Sequence, residues 1–251
     1  MLPHPTLSKL HTLRLSGMVK ALQEQAEQPQ VESLSFEERL GLLVDREITE
    51  RDNRRLQSRL KKARLRQSAC LEDIDYRHPR GLDRTLLHHL AGGQWLREQL
   101  NVLITGPTGI GKSFLACALA QSACRLGFSA VYQRLPRLLE DLALARGDGR
   151  YTRLLNTLAR TDVLVLDDWG LTPLTEGGCR DLLEVLDDRY RRRSTVVTSQ
   201  LPVEHWHDYL GHATLADAIL DRLVHNSHRL KLKGESMRRQ TPVLTPPGVQ
   251  E

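Results

Sequence analysis

The sequence predicts an α/β fold of three layers, in which helices cover both faces of a parallel central sheet. A small all-helical region precedes that fold. From Asn101 onward, short apolar runs alternate with helical patterns, whereas residues 6–67 show helical periodicity alone. Alternating strands and helices favour a parallel sheet, because parallel neighbours need a crossover that is usually a helix.

Each element of the sheet region follows from its pattern of apolar residues. Four apolar runs are predicted as strands: Val102–Thr105, Ala130–Gln133, Val163–Asp167 and Val196–Ser199. Helices are predicted over residues 86–100, 112–126, 136–146, 150–160, 178–192, 203–209 and 214–225.

The first 67 residues contain two helical patterns. The first has a predicted break at Ser16-Gly17. The second starts at a capping box, in which the Ser35 hydroxyl accepts from a free amide and Glu38 reaches back. One face of this second helix carries apolar side chains at helical spacing: Phe36, Leu40, Leu43, Val44 and Ile48.

Composition and charge narrow the class of protein. The 251 residues carry a net charge of +5, which is weak evidence for nucleic-acid binding by itself. The four cysteines form no C-x-x-C pair, so reduced thiols are expected. The first 20 residues lack the pattern of a signal peptide, and apolar runs are too short for a membrane span. We therefore expect a cytoplasmic protein.

A phosphate-binding loop follows the first predicted strand. The pattern G-x-x-x-x-G-K-[ST] is matched by Gly106, Pro107, Thr108, Gly109, Ile110, Gly111, Lys112 and Ser113. Backbone amides of such a loop, together with those at the start of the helix that runs on through Phe114, bind phosphate oxygens. Lys112 is placed to reach the β- and γ-phosphates of ATP, and the Ser113 hydroxyl to ligate Mg²⁺.

Two acids at the end of the third predicted strand supply the second half of the site. Asp167 is predicted to hold Mg²⁺, directly or through water, and Asp168 to orient and deprotonate the attacking water. The strand Val196–Ser199 ends at the same edge of the sheet. Ser199 or Gln200 is therefore predicted to point at the γ-phosphate, although a simple cap of the strand end is an alternative.

Several further motifs resemble those of the IstB-like transposition helpers, which belong to the AAA+ ATPases and are related to the DnaC-type helicase loaders. The likeness extends over nearly the whole chain and rests on these segments: residues 13–18, the P-loop, residues 164–170, residues 198–206, residues 217–223 and residues 233–238. A double aspartate is usual in that family, whereas Gln200 replaces the Asn often found at this AAA+ position.

The resemblance implies an ATP-dependent helper that assembles on target DNA and stimulates a partner transposase. Arg222 would be the arginine finger that enters a neighbouring subunit's site, which requires a homo-oligomer in the form of a ring or helix. Arg238 would be a second phosphate sensor. For Arg222 an ion pair with Asp217 or Asp221 is the alternative, and for Arg238 a place in a generally basic segment.

A basic segment at residues 46–66 predicts contact with double-stranded DNA. It holds nine basic residues against three acids, so its net charge exceeds that of the whole chain. Such charges along a helix can follow a phosphate backbone with little sequence preference. A solvated helix face is the alternative. The candidate DNA-binding residues are Arg54, Arg55, Arg59, Lys61 and Lys62.

These interpretations give three predicted regions. Residues 1–67 form a helical domain for DNA binding or oligomerisation, residues 68–240 an AAA+ ATPase domain with its linker, and residues 241–251 a disordered tail. Two other functions stay open at this point, a DnaC-like loader of a replicative helicase and a P-loop scaffold that binds ATP but barely hydrolyses it.

Overall fold

The structure is a computed structural model that describes residues 5–237. The chain divides into two compact units between Arg59 and Leu60. The predicted boundary at residue 67 stays a prediction, and the predicted tail at residues 241–251 lies outside the described residues. Within residues 5–237, none of the helices has the length and apolar character needed to cross a membrane.

The first unit is helical. Its elements are α1 (Pro5–Thr12), α2 (Ser16–Glu27), a 3₁₀ turn (Pro29–Ser33) and α3 (Phe36–Ala63), which continues past the division. The capping box is formed as predicted: the Ser35 hydroxyl accepts from the Glu38 amide at 3.2 Å, and the Glu38 carboxylate accepts from the Ser35 amide at 2.8 Å.

The start of α2 is held by a buried carboxylate of α3. Glu47 accepts hydrogen bonds from the backbone amides of Gly17 at 2.7 Å and Met18 at 3.2 Å. A Cβ atom at Gly17 would lie 2.6 Å from the Glu47 Cα, so the two helices approach too closely for any other residue. The sequence break at Ser16-Gly17 is therefore a helix start defined by a tertiary contact.

The predicted apolar face of α3 lies on the surface. Phe36 is 74% exposed, and Leu40, Val44 and Ile48 are exposed as well. Helical periodicity identified these side chains as one face, but periodicity alone cannot say what covers that face.

The second unit is the predicted three-layer α/β fold. Its elements are α4 (Arg84–Ala91), α5 (Gln94–Arg97), β1 (Asn101–Thr105), α6 (Lys112–Arg125), β2 (Ala130–Arg134), α7 (Leu135–Asp148), α8 (Tyr151–Arg160), β3 (Val163–Trp169), α9 (Glu176–Arg189), β4 (Ser194–Ser199), α10 (Trp206–Leu210), α11 (Ala213–Val224) and β5 (Ser227–Lys231). The predicted helix over 86–100 is divided into α4 and α5 by Gly92 and Gly93.

The central sheet is parallel throughout, with the strand order β2-β3-β4-β1-β5. Sequence patterning predicted the first four strands but missed β5. Within residues 5–237, that strand pairs with β1 alone. Its sequence is Ser-His-Arg-Leu-Lys, in which Leu230 is the one buried apolar residue. An edge strand of this kind lacks the apolar run that marks a buried strand.

The helices on the two faces of the sheet differ in the side chains that they bury. On one face, α7 to α11 pack leucines and the Trp169–Trp206 pair against Leu103, Leu164 and Val197. On the other face, α6 packs against four strands through small buried residues. Alanine and cysteine along α6 allow its backbone to lie close to the sheet, which places the start of α6 directly beside the strand ends.

One buried arginine binds backbone carbonyls near the amino ends of β3 and β4. Arg189 is 1% exposed and donates to the backbone carbonyls of Leu158, Thr161 and Ser194. Burial lowers the pKa of this guanidinium to about 9. Carbonyl oxygens favour its charged form, so Arg189 acts as a polar anchor for α8, α9 and β4.

The substitution Arg189→Met is expected to lower the free energy of unfolding of the second unit by about 3 kcal/mol, because it leaves several buried carbonyls without their donor. Arg192→Met, in the exposed turn nearby, should change it by about 0.5 kcal/mol or less. Urea denaturation followed by tryptophan fluorescence measures this, since all three tryptophans are buried in the second unit. Equal stability of the two variants would contradict the anchoring role.

Candidate functional site

The P-loop joins β1 to α6 as the sequence predicts. The ammonium group of Lys112 donates to the carbonyls of Gly106 at 2.7 Å and Pro107 at 2.8 Å. Ser113 lies in the first turn of α6, and its hydroxyl donates to both carboxylate oxygens of Asp167 at 2.9 Å. The side chain of Ile110 is fully buried, so this residue contributes its backbone to the loop.

The loop is packed from outside by residues that the sequence did not connect with it. Arg80 is buried and donates to the Ile110 carbonyl at 3.1 Å. Gly111 has a φ of +94°, and a Cβ atom there would lie 2.6 Å from Arg80. The amide of Met237 donates to the Gly109 carbonyl at 3.1 Å. The φ angle thus favours glycine at position 111, and a larger residue there would displace the buried Arg80 guanidinium.

Asp167 lies at the centre of the site. Its carboxylate is 1% exposed and accepts from Ser113, from the hydroxyls of Thr198 and Tyr132, and from the Arg66 guanidinium at 3.3 Å. Burial by itself raises the pKa of Asp167. The hydrogen bonds and the charge of Arg66 outweigh this effect, so the pKa lies below its ordinary value. The group is therefore a carboxylate anion at neutral pH.

Asp168 is aimed by an irregularity in β3. The pairing of β3 with β4 shifts register between Leu166 and Trp169, and Asp168 has a φ of +64°. A bulge of this kind re-aims a side chain, and aspartate tolerates a positive φ better than most residues. The Asp168 carboxylate lies 2.6 Å from the guanidinium of Arg134, the last residue of β2.

The end of β4 contributes Thr198, in addition to the two residues that the sequence suggests there, Ser199 and Gln200. The Thr198 hydroxyl donates to Asp167, while the Ser199 hydroxyl donates to the Trp169 carbonyl at 2.9 Å. Ser199 is therefore bonded within the sheet edge. Gln200 is exposed and lines the cavity beside Asp168.

Two cavities meet at the P-loop. The first, of about 360 Å³, lies between the P-loop and residues 66–80. The second, of about 390 Å³, is bounded by Thr108, Asp167, Asp168 and Gln200. Both are lined by Lys112, Ser113 and Arg66. The geometry can thus hold an elongated polyanion along the P-loop, with the two acids at one end.

The oxygen atoms of Asp167 and Ser113 fit the ligand preference of a magnesium ion. Mg²⁺ prefers oxygen ligands, and Asp167 and Ser113 offer a carboxylate and a hydroxyl beside the Lys112 ammonium. When bound, the ion would supply positive charge to the β- and γ-phosphates.

Arg222 lies at the opposite edge of the sheet. Asn101, the first residue of β1, donates through its side chain to the carbonyls of Arg222 at 2.9 Å and Leu223 at 3.2 Å. The P-loop follows the other end of β1, roughly 15 Å away at about 3.3 Å per residue. Arg222 pairs with Asp187, whereas Asp217 and Asp221 lie beside His207 and His225.

The remaining predicted site residues have separate locations. All five candidate DNA-binding residues lie on α3, and Arg54, Arg55, Lys61 and Lys62 are exposed. Arg55 also pairs with Asp52 at 3.3 Å. Arg238 lies outside the described residues.

Sequence reasoning missed four side chains that contact the two acids: Arg66, Tyr132, Arg134 and Thr198. Arg66 was assigned to the basic helix, and β2 was predicted to end at Gln133. Pairing of β2 with β3 places Arg134 opposite Asp167, so a sheet register would have identified it.

Comparison of solved structures supports the fold class. The chain superposes on the protein DnaI with a TM-score of 0.57 at 19% identity, over 70% of this chain and 93% of that one. It superposes on the DnaC helicase loader with a TM-score of 0.52 at 21% identity, over 59% and 87%. At such identities the likeness shows the fold alone. The structure therefore has the AAA+ type of P-loop fold.

Sequence comparison identifies the family. Residues 8–244 match the family described as "IstB-like ATP binding protein". The chain is 57% identical to an insertion sequence ATP-binding protein of Sinorhizobium fredii, over 95% of this chain and 98% of the relative. It is 36% identical to the IS21 ATP-binding protein of Pseudomonas aeruginosa, over 95% and 91%. The chain belongs to the IstB-like family, as the sequence motifs indicate.

Proposed function

We propose that this chain is an ATP-hydrolysing helper of DNA transposition that assembles on double-stranded target DNA in the cytoplasm and stimulates a partner transposase. The observation that carries this proposal is the carboxylate of Asp167, bonded to Ser113 of the P-loop and followed by Asp168, in a member of a family named from insertion sequences. The likeness to helicase loaders is one of fold and does not favour loading as the function.

The chain's own residues divide the chemistry between them. Lys112 neutralises phosphate charge, and Ser113 and Asp167 hold Mg²⁺. Asp168 orients the attacking water and accepts its proton, while Gln200 contacts the γ-phosphate or that water. Both groups line the second cavity, at the end of the P-loop where the terminal phosphate would lie.

The ion pair with Arg134 limits which carboxylate oxygen of Asp168 can contact the attacking water. Arg134 is half-exposed and holds one carboxylate oxygen at 2.6 Å. An attacking water must therefore use the other oxygen, or the ion pair must open before hydrolysis. A mobile surface arginine can open such a pair at small cost, since exposed ion pairs contribute about 1 kcal/mol or less.

The substitution Asp168→Asn is expected to lower the ATP hydrolysis rate about 100-fold or more while leaving ATP affinity within about threefold, because it removes the proton acceptor and keeps the side-chain shape. A coupled phosphate-release assay with DNA, together with calorimetric titration of a non-hydrolysable ATP analogue, measures both quantities.

Asp188→Asn, on the exposed surface of α9, is the matched control and should hydrolyse ATP as the wild type does. Wild-type turnover in Asp168→Asn would exclude the assigned role. A wild-type protein that binds the analogue but does not hydrolyse ATP with or without DNA would instead support the scaffold alternative.

DNA contact is assigned to the basic surface of α3. Arg54, Arg55, Lys61 and Lys62 are exposed along this helix, which rises about 1.5 Å per residue and can follow a backbone over several phosphates. Contacts of this kind hold DNA without reading its sequence, which suits a helper that must accept many target sites.

Replacing Arg54, Arg55, Arg59, Lys61 and Lys62 together by Gln is expected to weaken DNA binding and to reduce the slope of log affinity against log salt by about 4, at about 0.9 for each DNA phosphate that the variant leaves unneutralised. Fluorescence anisotropy with a random-sequence duplex at several salt concentrations measures the slope. A control that changes Arg153, Arg160, Arg191, Arg192 and Arg193 to Gln removes equal charge from the second unit. An equal reduction in both variants would refute the assignment to α3.

The position of Arg222 suits action in a neighbouring subunit. It is separated from its own P-loop by the length of β1, and it pairs at the surface with Asp187, which is 58% exposed. Its guanidinium would leave Asp187 and neutralise charge on the phosphoryl group in the adjacent site. The chain would then hydrolyse ATP only as a ring or helical assembly.

Arg222→Ala and Lys112→Ala are each expected to be inactive alone, but an equal mixture should regain roughly a quarter of wild-type turnover, because random neighbours then combine an intact P-loop with an intact finger at that frequency. Replacing Arg222→Ala in this mixture by the surface variant Arg192→Ala provides the control. Full activity of Arg222→Ala alone, or no recovery in the mixture, would exclude the finger.

A further inference from the structure

Arg66 connects the two cavities of the ATP site. It follows the end of α3 by three residues, in a segment that sequence analysis treated only as part of the basic run. Its side chain lines both the cavity beside residues 66–80 and the cavity beside Asp168. Apart from Arg66, the residues shared by both cavities belong to the P-loop and its helix: Gly109, Lys112 and Ser113.

The backbone around Arg66 is anchored on α6. Burial raises the pKa of the Cys117 thiol on that helix, and the backbone amides of Gln67 and Arg66 lower it in part, which places both amides beside the sulfur. Ala69 is buried, and Glu72 pairs with Arg125 at 2.6 Å. Arg66 and Gln67 also line the first cavity together with Lys112, Ser113 and Phe114, so this segment lies beside the start of the P-loop helix.

The side chain has access to solvent. It is 46% exposed, and its contact with Asp167 is 3.3 Å long. Asp167 already accepts from Ser113 and Thr198, so the carboxylate does not depend on this guanidinium for its hydrogen bonds. A guanidinium has five N–H donors in a planar fork that matches phosphate oxygens, and contacts with Asp167 and Tyr132 use only part of them.

We propose that Arg66 binds the terminal phosphate of a nucleoside triphosphate within its own subunit. This inference rests on the ATP site of the proposed function and adds a ligand to it. A divalent cation held by Asp167 would compete with the guanidinium for the same carboxylate oxygen. The Arg66 guanidinium can then bind phosphate oxygens within the same cavity instead of Asp167. Only a triphosphate extends to the end of the site where Asp167 and Asp168 lie.

A contact between Arg66 and the terminal phosphate would allow the site to distinguish ATP from ADP. A diphosphate leaves the Asp168 end of the P-loop without the group that Arg66 contacts. Arg66→Gln is therefore expected to weaken the affinity for the ATP analogue AMP-PNP roughly tenfold to a hundredfold, the range for a hydrogen bond between charged groups. Affinity for ADP should change by about twofold or less, because that complex lacks the contact.

Isothermal titration calorimetry with AMP-PNP and ADP, each with excess Mg²⁺, measures the ratio of the two affinities in the full-length protein. Arg64→Gln is the matched control, since it removes the same charge from an exposed side chain two residues away that lines neither cavity. Its ratio should equal that of the wild type. Arg66→Lys keeps the charge but loses the fork, and should fall between the two.

Equal weakening of both nucleotides by Arg66→Gln, or no weakening, would overturn the proposal. If Arg66→Gln fails to fold by tryptophan fluorescence, Arg66→Lys decides: a wild-type ratio in that variant also overturns it. Failure of the underlying ATP site gives a different result, in which the wild-type protein binds neither nucleotide or Lys112→Ala binds both normally.

Discussion

A single buried carboxylate organises the catalytic edge of this protein. Asp167 is an anion in a nearly solvent-free position, and it is tolerated there because hydroxyls from α6, β2 and β4 donate to it. Those donors come from separate parts of the chain, so the carboxylate can be satisfied only when the sheet has its correct strand order. The charge that suits a magnesium ion therefore also fixes the position of the P-loop helix relative to β3 and β4.

The same sheet separates the two halves of the proposed catalytic machinery. The P-loop and both acids lie at the carboxyl ends of the strands, whereas Arg222 lies beside the amino end of β1. In the proposed mechanism, an arginine finger at this position would serve a neighbouring subunit, which would link ATP hydrolysis to assembly. Arg66 differs, because it lines both cavities beside Lys112 and Ser113 of its own subunit. The two arginines would thus report different events, the presence of a third phosphate and the presence of a neighbouring subunit.

Two ion pairs with partial exposure to solvent involve groups that have a proposed role in hydrolysis. Arg134 pairs with Asp168 and Arg222 with Asp187, and each arginine retains some exposure to solvent. Exposed pairs of this kind are weak, so phosphate or a neighbouring subunit can replace them at small energetic cost. Buried contacts, such as those of Arg189 with backbone carbonyls, instead stabilise the fold around the site.

The sequence by itself determined the P-loop, the strands β1 to β4, the double aspartate and the family, because each depends on a local pattern of residues. It did not identify β5, whose polar edge sequence has no apolar run, or the burial state of the apolar face on α3. Tertiary structure decided which distant side chains meet Asp167 and Asp168. Tyr132, Arg134 and Thr198 reach them through strand register, and Arg66 through packing of its segment on α6. Register and packing are properties of contacts between segments, and no single segment encodes them.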